Sequence, residues 1–472
     1  MKVLIMGLGL HGGGLQSALF MLKRGAEVTV TDLRDENILR TAIEQLEAYC
    51  SESGNKPIRY VLGSHEIEDF KNVDIVIKNP GVRPDSPYLQ AAKRIETDIS
   101  LFLSESPARL FAVSGTKGKS GTVSALHWIL KKNRKSGRAF LGGNITVSPL
   151  TFLDELRPED DVALELSSFQ LGDIKNRKTK ENCALLNPAA SILTSIMSDH
   201  LDRYASMEEY IDDKKNIYRG QDEKGVTIAG DDNWGKSFRS ETKARPLVYS
   251  NFSLTPGLSG GWIESGKGFA RLHNWEGVSD NVVELVPQHL PVPGEHQKIN
   301  SLAAALAAYS IGISAENICN ALASYPGIEH RLELFHEAGG VRFYNDSAAT
   351  VPQACAACIE ALCPLAPVVL VTGGTDKNLD FHPLANAAAK AKALILLAGT
   401  GSEKLAKLLT EEGFSFNGPY DDLNKAVSCA FEKAASGDIV ALSPGCASFG
   451  MFLNEFDRGR KWKEACLQYS RG

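Results

Sequence analysis

The sequence predicts an α/β protein built from three domains in series. Short β-rich runs alternate with helical patterns along the whole chain, which is typical of parallel sheets. At about 150 residues per domain, a length of 472 residues indicates three domains. Three of the β-rich runs lead into glycine loops, at Gly7, Gly115 and Gly373. Because ligands bind beyond the carboxyl ends of parallel strands, each loop marks a candidate site.

The predicted strands are short and rich in β-branched residues. In chain order they are Val3–Met6, Glu27–Thr31, Asp74–Ile77, Leu110–Val113, Val162–Leu166, Ser191–Ile196, Val368–Thr372 and Ile439–Leu442. Polar or Pro-Gly breaks near residues 104–107 and 324–327 predict domains over 1–107, 108–325 and 326–472. Segment 243–288 is rich in glycine, serine and single aromatics without a helical period, so we expect irregular β-structure there.

Composition excludes several classes of protein. The net charge of -6 argues against a nucleic-acid binder that neutralises phosphates. The nine cysteines form no disulfide framework, and the Cys355-x-x-Cys358 pair lacks the second pair of a zinc site, so we expect buried thiols. Neither a signal peptide nor an apolar run of about 18 residues is visible. The composition therefore predicts a reduced, cytoplasmic protein without a membrane span.

The first glycine loop, which begins at Gly7, matches the pattern GxGxxG after a strand. Asp32 closes the next strand, as in dinucleotide-binding folds. Small residues let backbone N–H groups approach a diphosphate at a helix N-terminus. Taken alone, the pattern fits NAD, a UDP-sugar or a mere tight turn.

The second loop is a phosphate-binding loop in form. It reads Ser-Gly-Thr-Lys-Gly-Lys-Ser over residues 114–120, after a strand and before a predicted helix over Gly121–Leu130. In such a loop, backbone amides and Lys119 surround the β- and γ-phosphates, and the Ser120 hydroxyl binds magnesium. The first glycine of the usual Walker pattern is missing, which makes this loop a shorter variant.

Carboxylate, imidazole and amine groups follow the second loop. Glu165 ends a strand where a parallel sheet can offer a metal ligand, and His200 and Asp202 lie in a polar segment after another strand. Lys214 falls in a predicted helix, where residue type alone predicts a surface cation.

The third region is a series of polar loops that follow strands. It contains His330-Arg331, Asn345–Thr350, Gly373–Lys377 and Ser443–Phe449. Arginine, lysine and hydroxyl groups together suit an anionic substrate and the phosphates of ATP.

Taken together and in order, these strings resemble the Mur ligases, and among them the members that add D-glutamate. The strings are SGTKGKS, ELSSFQL, DHLDRY, PGEH with Asn300, HR, NDSAAT, GGTDKNLDF and SPGCASF. The DNPR string of members that add meso-diaminopimelate is absent. The resemblance implies a Rossmann-like UDP-binding domain, a central P-loop-type ATPase domain and a C-terminal Rossmann-like domain that brings the amino acid.

The resemblance also implies a role for individual residues. Expected contacts of the UDP-substrate, UDP-N-acetylmuramoyl-L-alanine, are Leu10, His11, Asp32, Arg34, Gly81, Asn144, Ser167 and Gln170. Expected ATP contacts are Gly115, Thr116, Lys117, Gly118, Lys119, Ser120, Asn300, Arg331 and Asp346. Expected D-glutamate contacts are Thr350, Lys377, Ser448 and Phe456. Expected ligands of two Mg²⁺ ions are Ser120, Glu165, His200 and a carbamylated Lys214, and the expected catalytic residues are Lys119, His200 and Lys214.

Several positions depart from the family pattern. Ala348 stands where NDSKAT would place a lysine, Gly450 replaces a common aspartate, and Ser195 and Ser198 replace the asparagine and proline of TNIMPDH. The aromatic residue of the D-glutamate site is displaced to Phe456. These differences concern details of the pocket more than the class of reaction.

The implied reaction is an amide ligation in peptidoglycan synthesis that passes through an acyl phosphate. A cytoplasmic monomer is expected, with domain closure because ATP and D-glutamate contacts fall on different domains. Alternatives are an NAD-dependent dehydrogenase built on the first loop, a non-catalytic nucleotide-binding relative, and another Mur-type or folylpolyglutamate-type ligase. The dehydrogenase would leave the phosphate loop unexplained.

Overall fold

The three-dimensional structure is a computed structural model that describes residues 1–9, 13–134, 136–145, 147–200, 203–275, 280–377 and 379–470. Three sheets of five, nine and six strands follow one another along the chain. The first two sheets belong to one compact unit, residues 1–288 with 298–322, and the third belongs to a second unit, residues 289–297 with 323–472. The α/β prediction is confirmed, while the predicted domain limits of 1–107, 108–325 and 326–472 stay predictions.

The first sheet is parallel, with the strand order β3-β2-β1-β4-β5. Its elements are β1 (Lys2–Met6), α1 (Gly13–Lys23), β2 (Glu27–Asp32), α2 (Glu36–Ser53), β3 (Arg59–Leu62), α3 (Ile67–Lys71), β4 (Ile75–Lys78), α4 (Pro87–Gln90), β5 (Ile95–Glu96) and α5 (Asp98–Glu105). Both faces of β1 are buried, since Val3 and Ile5 join one apolar cluster and Leu4 and Met6 join another. The strand order reverses between β1 and β4, where such sheets bind ligands.

The second sheet has the order β14-β13-β12-β11-β10-β9-β6-β8-β7. Its elements are β6 (Arg109–Ser114), α6 (Lys119–Asn133), β7 (Ala139–Gly143), β8 (Asp161–Glu165), α7 (Ser168–Asp173), β9 (Ala190–Leu193), α8 (Met207–Lys215), β10 (Val226–Gly230), α9 (Asn233–Glu241), β11 (Arg245–Ser250), β12 (Gly260–Glu264), β13 (Lys267–Arg271) and β14 (Val283–Val286). Two further helices follow in sequence, α10 (Glu295–Ser310) and α11 (Ala315–Ala323).

Segment 243–288 is more regular than the sequence predicts. Strand β11 extends the parallel part of the second sheet, and β12, β13 and β14 form an antiparallel meander that continues it. The β prediction is therefore confirmed, whereas the predicted irregularity is wrong for these strands, because their backbones form continuous ladders with one register shift, between Gly268 and Phe269. Glycines at positions such as Gly261 and Gly268 lie where added Cβ atoms would meet neighbouring side chains.

The third sheet has the order β15-β16-β20-β17-β18-β19, and only the edge strand β15 is antiparallel to its neighbour. Its elements are β15 (Glu333–Ala338), β16 (Val341–Asn345), α12 (Pro352–Leu362), β17 (Val368–Thr372), α13 (His382–Ala388), β18 (Ala393–Leu397), α14 (Thr400–Glu411), β19 (Asn417–Tyr420), α15 (Leu423–Lys433), β20 (Ile439–Leu442) and α16 (Glu455–Tyr469). The loop that begins at Gly373 does not lead directly into a helix, since α13 starts at His382.

The cysteines behave as predicted. All nine are free, and Cys355 and Cys358 are buried side by side on α12. Burial raises the pKa of the Cys355 thiol to about 12 and that of Cys358 well above its ordinary value, so both remain protonated. Within the described residues, no helix combines the length and apolar character that crossing a membrane requires.

Candidate active site

The glycine loop after β1 is shaped by close backbone approaches. Gly7 and Gly9 have φ angles of 89° and 70°, in the left-handed region that favours glycine. Gly14, in the first turn of α1, lies so close to the Gly7 carbonyl that a Cβ atom would overlap it. The Asp32 carboxylate accepts hydrogen bonds from the Gly9 N–H at 3.2 Å and the Arg34 N–H at 3.0 Å. Asp32 therefore orders the loop.

A cavity of about 1050 Å³ opens beyond the carboxyl ends of β1 and β4. Six of the eight predicted UDP-substrate contacts line this one cavity, namely Asp32, Arg34, Gly81, Asn144, Ser167 and Gln170. The other two, Leu10 and His11, lie outside the described residues. The fold thus brings together side chains that are separated by up to 138 positions in sequence, from Asp32 to Gln170.

Sequence reasoning missed part of the cavity wall. Asn79, His65 and Phe169 also line it. Asn79 lies against the first loop, since a Cβ atom on Gly7 would be 3.1 Å from the Asn79 Cβ. The missed signal is the string Asn-Pro-Gly, which begins two residues after the end of the predicted strand 74–77, because a polar residue at a strand end is a candidate ligand contact.

Ser167 and Gln170 have a structural role as well as a place in the cavity wall. Ser167 is the N-cap of α7: its hydroxyl accepts from the Gln170 N–H at 3.2 Å. The Gln170 Oε1 in turn accepts from the Ser167 N–H at 3.0 Å, which completes a capping box. This reciprocal cap fixes both side chains at the cavity wall.

The phosphate loop connects β6 to α6, and Gly118 caps the helix with a φ of 90°. The side chain of Asn300 lies against it, because a Cβ atom on Gly118 would be 2.6 Å from the Asn300 Oδ1. The Thr116 N–H donates to the Ser195 carbonyl at 2.7 Å, and the Ser195 hydroxyl donates to the Lys117 carbonyl at 3.2 Å. The N-terminus of α6 offers backbone N–H groups of the kind that can bind an anion.

Lys119 and Ser120 occupy the first two positions of α6. The Lys119 Nζ donates to the Thr116 carbonyl at 2.9 Å, so its charge stays at the loop. The predicted contacts from Gly115 to Ser120 therefore form one continuous segment, the loop and the start of α6, with Asn300 beside it. This arrangement suits the phosphates of a nucleotide.

Glu165 lies beside the phosphate loop. It pairs with Val113 across neighbouring parallel strands, and it is only 2% exposed. Its Oε1 accepts from the Asn144 side-chain amide at 2.8 Å. Among the described residues, nothing donates a hydrogen bond to its buried Oε2. Since a buried carboxylate oxygen needs a partner, this geometry fits a cation at that oxygen.

Lys214 contradicts the surface position that residue type predicts. It lies in the last turn of α8 and is 1% exposed, and its Nζ donates to the Gly115 carbonyl of the phosphate loop at 2.7 Å. Burial, followed by the positive charge of Lys119, lowers the pKa of Lys214 to about 7. The residue-type prediction is wrong because the Tyr210 ring, 4.5 Å from Nζ, and the loop enclose the amine.

His200 belongs to a tight turn after β9. Its φ of 55° is left-handed, and its carbonyl accepts from the N–H groups of Arg203 and Tyr204. The imidazole is half-exposed and packs 4.9 Å from the Phe169 ring, centroid to centroid. A half-exposed imidazole is a suitable metal ligand. Asp202, the other candidate of this segment, lies outside the described residues.

In the second unit, the loops after β16, β17 and β20 lie together at the carboxyl end of the third sheet. The Asp346 N–H donates to the Leu442 carbonyl at 2.8 Å, and the Gly373 N–H donates to the Pro444 carbonyl at 2.8 Å. Thr375 and Ala447 exchange two backbone hydrogen bonds of 3.0 Å. The sheet thus gathers the loops that carry Thr350, Lys377 and Ser448.

The predicted site residues at this end of the sheet differ in their burial and hydrogen-bond partners. Asp346 is buried, accepts from the Leu332 N–H at 3.1 Å and from the Ser443 hydroxyl at 2.7 Å, and burial raises its pKa to about 6. Arg331 and Lys377 are exposed, and Ser448 is buried. Phe456 packs on His330, with 5.4 Å between ring centroids.

Family descriptions match the chain in order: the MurD-like N-terminal domain of Mur ligases over residues 1–100, the Mur ligase middle domain over 113–308, and the glutamate ligase domain over 330–446. The chain belongs to the Mur ligase family. The similarity of ELSSFQL, DHLDRY and the phosphate loop to this family is therefore part of a match along nearly the whole chain.

Two similar curated proteins are both named UDP-N-acetylmuramoylalanine--D-glutamate ligase. The Treponema pallidum (strain Nichols) protein is 41% identical, with 98% of this chain and 96% of that protein covered. The Borreliella afzelii (strain PKo) protein is 39% identical, with 98% and 97% covered. Among solved structures, a UDP-N-acetylmuramate-alanine ligase from Thermotoga maritima gives a TM-score of 0.58 at 19% identity, covering 99% of this chain and 100% of that chain. That likeness shows the shared fold.

This Mur ligase also has a buried arginine that sequence reasoning missed. Arg458 on α16 is 1% exposed and donates to the Cys446 carbonyl at 3.1 Å and to the Ser347 carbonyl at 2.8 Å. It thereby fixes the loops after β20 and β16 relative to each other. No pattern around residue 458 distinguishes it from the other charged residues of a helix.

Proposed function

We propose that the protein is an ATP-dependent ligase that joins D-glutamate to the alanyl carboxylate of UDP-N-acetylmuramoyl-L-alanine in peptidoglycan synthesis. The observation that carries this proposal is the course of the 1050 Å³ cavity. It extends from the first glycine loop to Asn144, whose amide donates to Glu165 beside the phosphate loop. A substrate held by its nucleotide at one end would present its carboxylate near the phosphates of ATP.

The identity of the incoming amino acid is inferred from the names of the relatives. Two relatives, whose alignments cover 98% of this chain, are named as D-glutamate ligases. The loops around Lys377 and Ser448 offer a cation and a hydroxyl, groups that suit the carboxylates of D-glutamate. The contacts assigned to Thr350, Lys377, Ser448 and Phe456 are part of this proposal.

Activation of the carboxylate is the first chemical step. A carboxylate oxygen attacks the γ-phosphorus of ATP, the bond to the β–γ bridging oxygen breaks, and ADP leaves with an acyl phosphate formed. Because two anions must approach each other, Lys119 and the N-terminus of α6 would stabilise the charge that moves to the bridging oxygen.

Magnesium fits the donor set. Glu165 Oε2, to which no described residue donates a hydrogen bond, the Ser120 hydroxyl, the His200 imidazole and Lys214, as a carbamate, would hold two Mg²⁺ ions. When bound, Mg²⁺ neutralises charge on the phosphates. The Asn144 amide donates to Glu165 Oε1 and so orients the carboxylate with Oε2 directed away from the amide.

Carbamylation would convert Lys214 into an anionic ligand. The neutral amine attacks carbon dioxide through its lone pair, and loss of one proton from nitrogen leaves a carbamate. The enclosure of Lys214 by Gly115 and Tyr210 favours a group whose charge is balanced by a neighbouring cation over an isolated ammonium.

Amide formation is the second step. The amine of D-glutamate attacks the acyl carbon, the nitrogen loses a proton, and inorganic phosphate leaves with the former carboxylate oxygen. Hydrogen-bond donors and cations already directed at the phosphoryl group would stabilise the tetrahedral intermediate. The cytoplasmic location and the monomeric state predicted from the sequence stay predictions.

Phosphate release tests the proposal. Purified protein is given ATP, Mg²⁺ and UDP-N-acetylmuramoyl-L-alanine, and phosphate is measured with D-glutamate, L-glutamate or meso-diaminopimelate. We expect D-glutamate to stimulate release strongly and the other two amino acids to do so weakly. Equal stimulation by all three would refute the amino-acid assignment, and no release with any of them would refute the ligase assignment. Lys119→Ala is the control for ATP-dependent chemistry.

A further inference from the structure

One wall of the nucleotide-sugar cavity is an irregular loop, Asn79–Val82, that follows β4. The loop is closed by a hydrogen bond from the Val82 N–H to the Asn79 carbonyl at 2.9 Å, whereas the carbonyls of Pro80, Gly81 and Val82 accept from side chains outside the loop. The Lys78 Nζ donates to the Val82 carbonyl at 3.1 Å and is paired with the buried Asp173 carboxylate at 2.7 Å. This pair secures one end of the loop.

Arg203 secures the rest of the loop. Its Nη1 donates to the Gly81 carbonyl at 3.0 Å, and its Nη2 donates to the carbonyls of Pro80 and Val82, each at 3.2 Å. One guanidinium therefore binds the carbonyl oxygens of three consecutive residues. A planar fork of fixed donors can satisfy such a set, whereas the single ammonium of lysine cannot reproduce its geometry.

The same guanidinium contacts a second wall of the cavity. Its central carbon lies 3.7 Å from the centroid of the Phe169 ring, and Phe169 lines the cavity. Arg203 also belongs to the turn of His200, because its N–H donates to the His200 carbonyl at 2.9 Å. The Arg203 side chain thus joins two cavity walls, and its backbone belongs to the turn that carries a proposed metal ligand.

We propose that Arg203 is a positioning residue for the nucleotide-sugar substrate, acting through the loop 80–82 and the Phe169 ring. This inference rests on the proposed function, since it concerns the same substrate. Arg203 holds the loop and the Phe169 ring in the positions that form the wall of the substrate cavity. It is not itself one of the reacting groups. Its loss should therefore weaken substrate binding more than it slows the chemical steps.

Arg177 provides a matched comparison. It also joins a segment beyond α7 to the first sheet, through hydrogen bonds to the Glu96 carboxylate and the Ile95 carbonyl. Neither Ile95 nor Glu96 lines the cavity, however. If arginines between these segments only stabilise the fold, Arg203 and Arg177 should be equivalent in their effect on binding.

The experiment measures the dissociation constants of UDP-N-acetylmuramoyl-L-alanine and of ATP by calorimetry for the wild type, Arg203→Lys, Arg203→Met and Arg177→Lys. Thermal unfolding is followed in parallel. Since one charge-assisted hydrogen bond corresponds to about tenfold in affinity, we expect the Arg203 variants to bind the nucleotide-sugar at least about tenfold more weakly. Their ATP affinity should be unchanged, and the KM for the nucleotide-sugar should rise more than kcat falls.

Each outcome decides the matter. Wild-type affinity in Arg203→Lys, or an equal loss of affinity in Arg177→Lys, would overturn the inference and leave the proposed function intact. Failure of the wild type to bind the nucleotide-sugar would instead overturn the proposed function. Should Arg203→Met not fold, Arg203→Lys, which keeps the charge and the stem, carries the test alone.

Discussion

Lys214 lies where a protonated amine is disfavoured. Its side chain is 1% exposed, its Nζ donates a 2.7 Å hydrogen bond to the Gly115 carbonyl, and Lys119 adds a positive charge nearby. Burial and that charge lower the pKa of Lys214 to about 7, so a large share of the side chain is the neutral, nucleophilic amine near pH 7. The amine therefore meets the chemical requirement for carbamylation, which is proposed above.

Replacement of Lys214 by alanine tests this residue. We expect Lys214→Ala to lose nearly all phosphate release, because it removes the proposed carbamate, the anionic group that would support the second of the proposed metal ions. A short carboxylic acid such as acetate or formate should restore part of the activity by supplying a carboxylate in the vacated space. The measurement is the rate of D-glutamate-dependent phosphate release against acid concentration.

Lys215→Ala is the matched control for this prediction. Lys215 is the next residue on α8, and its Nζ pairs with the Glu241 carboxylate at 2.8 Å rather than with the phosphate loop. This variant should keep its turnover and should not respond to the acids. If no acid rescues a folded Lys214→Ala variant, the carbamate proposal is contradicted.

Single residues show where sequence reasoning ends. The phosphate loop could be predicted because its residues are consecutive, and six cavity residues could be predicted through the resemblance. The burial of Lys214 could not, since it depends on Tyr210 and Gly115 meeting around the amine. Arg458 and Arg203 were missed for the same reason: their partners are main-chain carbonyls, which every sequence has.

Helix α1 illustrates how close packing shapes the first glycine loop. Its Gly14 lies against the Gly7 and Leu8 carbonyls, so a Cβ atom there would overlap backbone that cannot rotate away. At the neighbouring Gly13, a Cβ atom would have as its nearest contact the Asn79 Nδ2, at 3.9 Å. Two adjacent glycines of one helix therefore differ completely in their tolerance of a methyl group.

We predict that Gly14→Ala lowers the free energy of unfolding by about 1–3 kcal/mol, as overpacking does. It should also weaken nucleotide-sugar binding, because α1 must shift away from the loop. Gly13→Ala should leave stability unchanged or raise it slightly, since alanine favours helix. Thermal unfolding and calorimetry on both variants check this, and equal effects at the two positions would contradict the close approach.

Strands were easier to predict than loops. The seven runs that alternate with helices, such as Val368–Thr372, match strands to within one residue at each end, because strands buried on both faces are continuous apolar runs. The predicted strand over 191–196 instead ends at Leu193, where the backbone turns to contact the phosphate loop. Loop conformation depends on distant contacts, and local sequence does not encode these.

The proposed ligands divide between the two compact units. The cavity proposed for the nucleotide-sugar belongs entirely to the unit of residues 1–288 and 298–322, whereas the loops with Thr350, Lys377 and Ser448 belong to the unit of 289–297 and 323–472. Each substrate should therefore stabilise its own unit first, because a ligand stabilises the structure that binds it.

Hydrogen exchange can test this division on the intact protein. At a concentration of UDP-N-acetylmuramoyl-L-alanine about 100 times its Kd, linkage corresponds to about 2.7 kcal/mol, or about a hundredfold slower exchange. We expect slowing in segments 79–83, 143–145 and 167–170 and unchanged rates in 373–377 and 443–449. D-Glutamate added with a non-hydrolysable ATP analogue should then slow the latter two. Protection of 443–449 by the nucleotide-sugar alone would contradict the assignment of one ligand to each unit, because no residue of that loop lines the cavity.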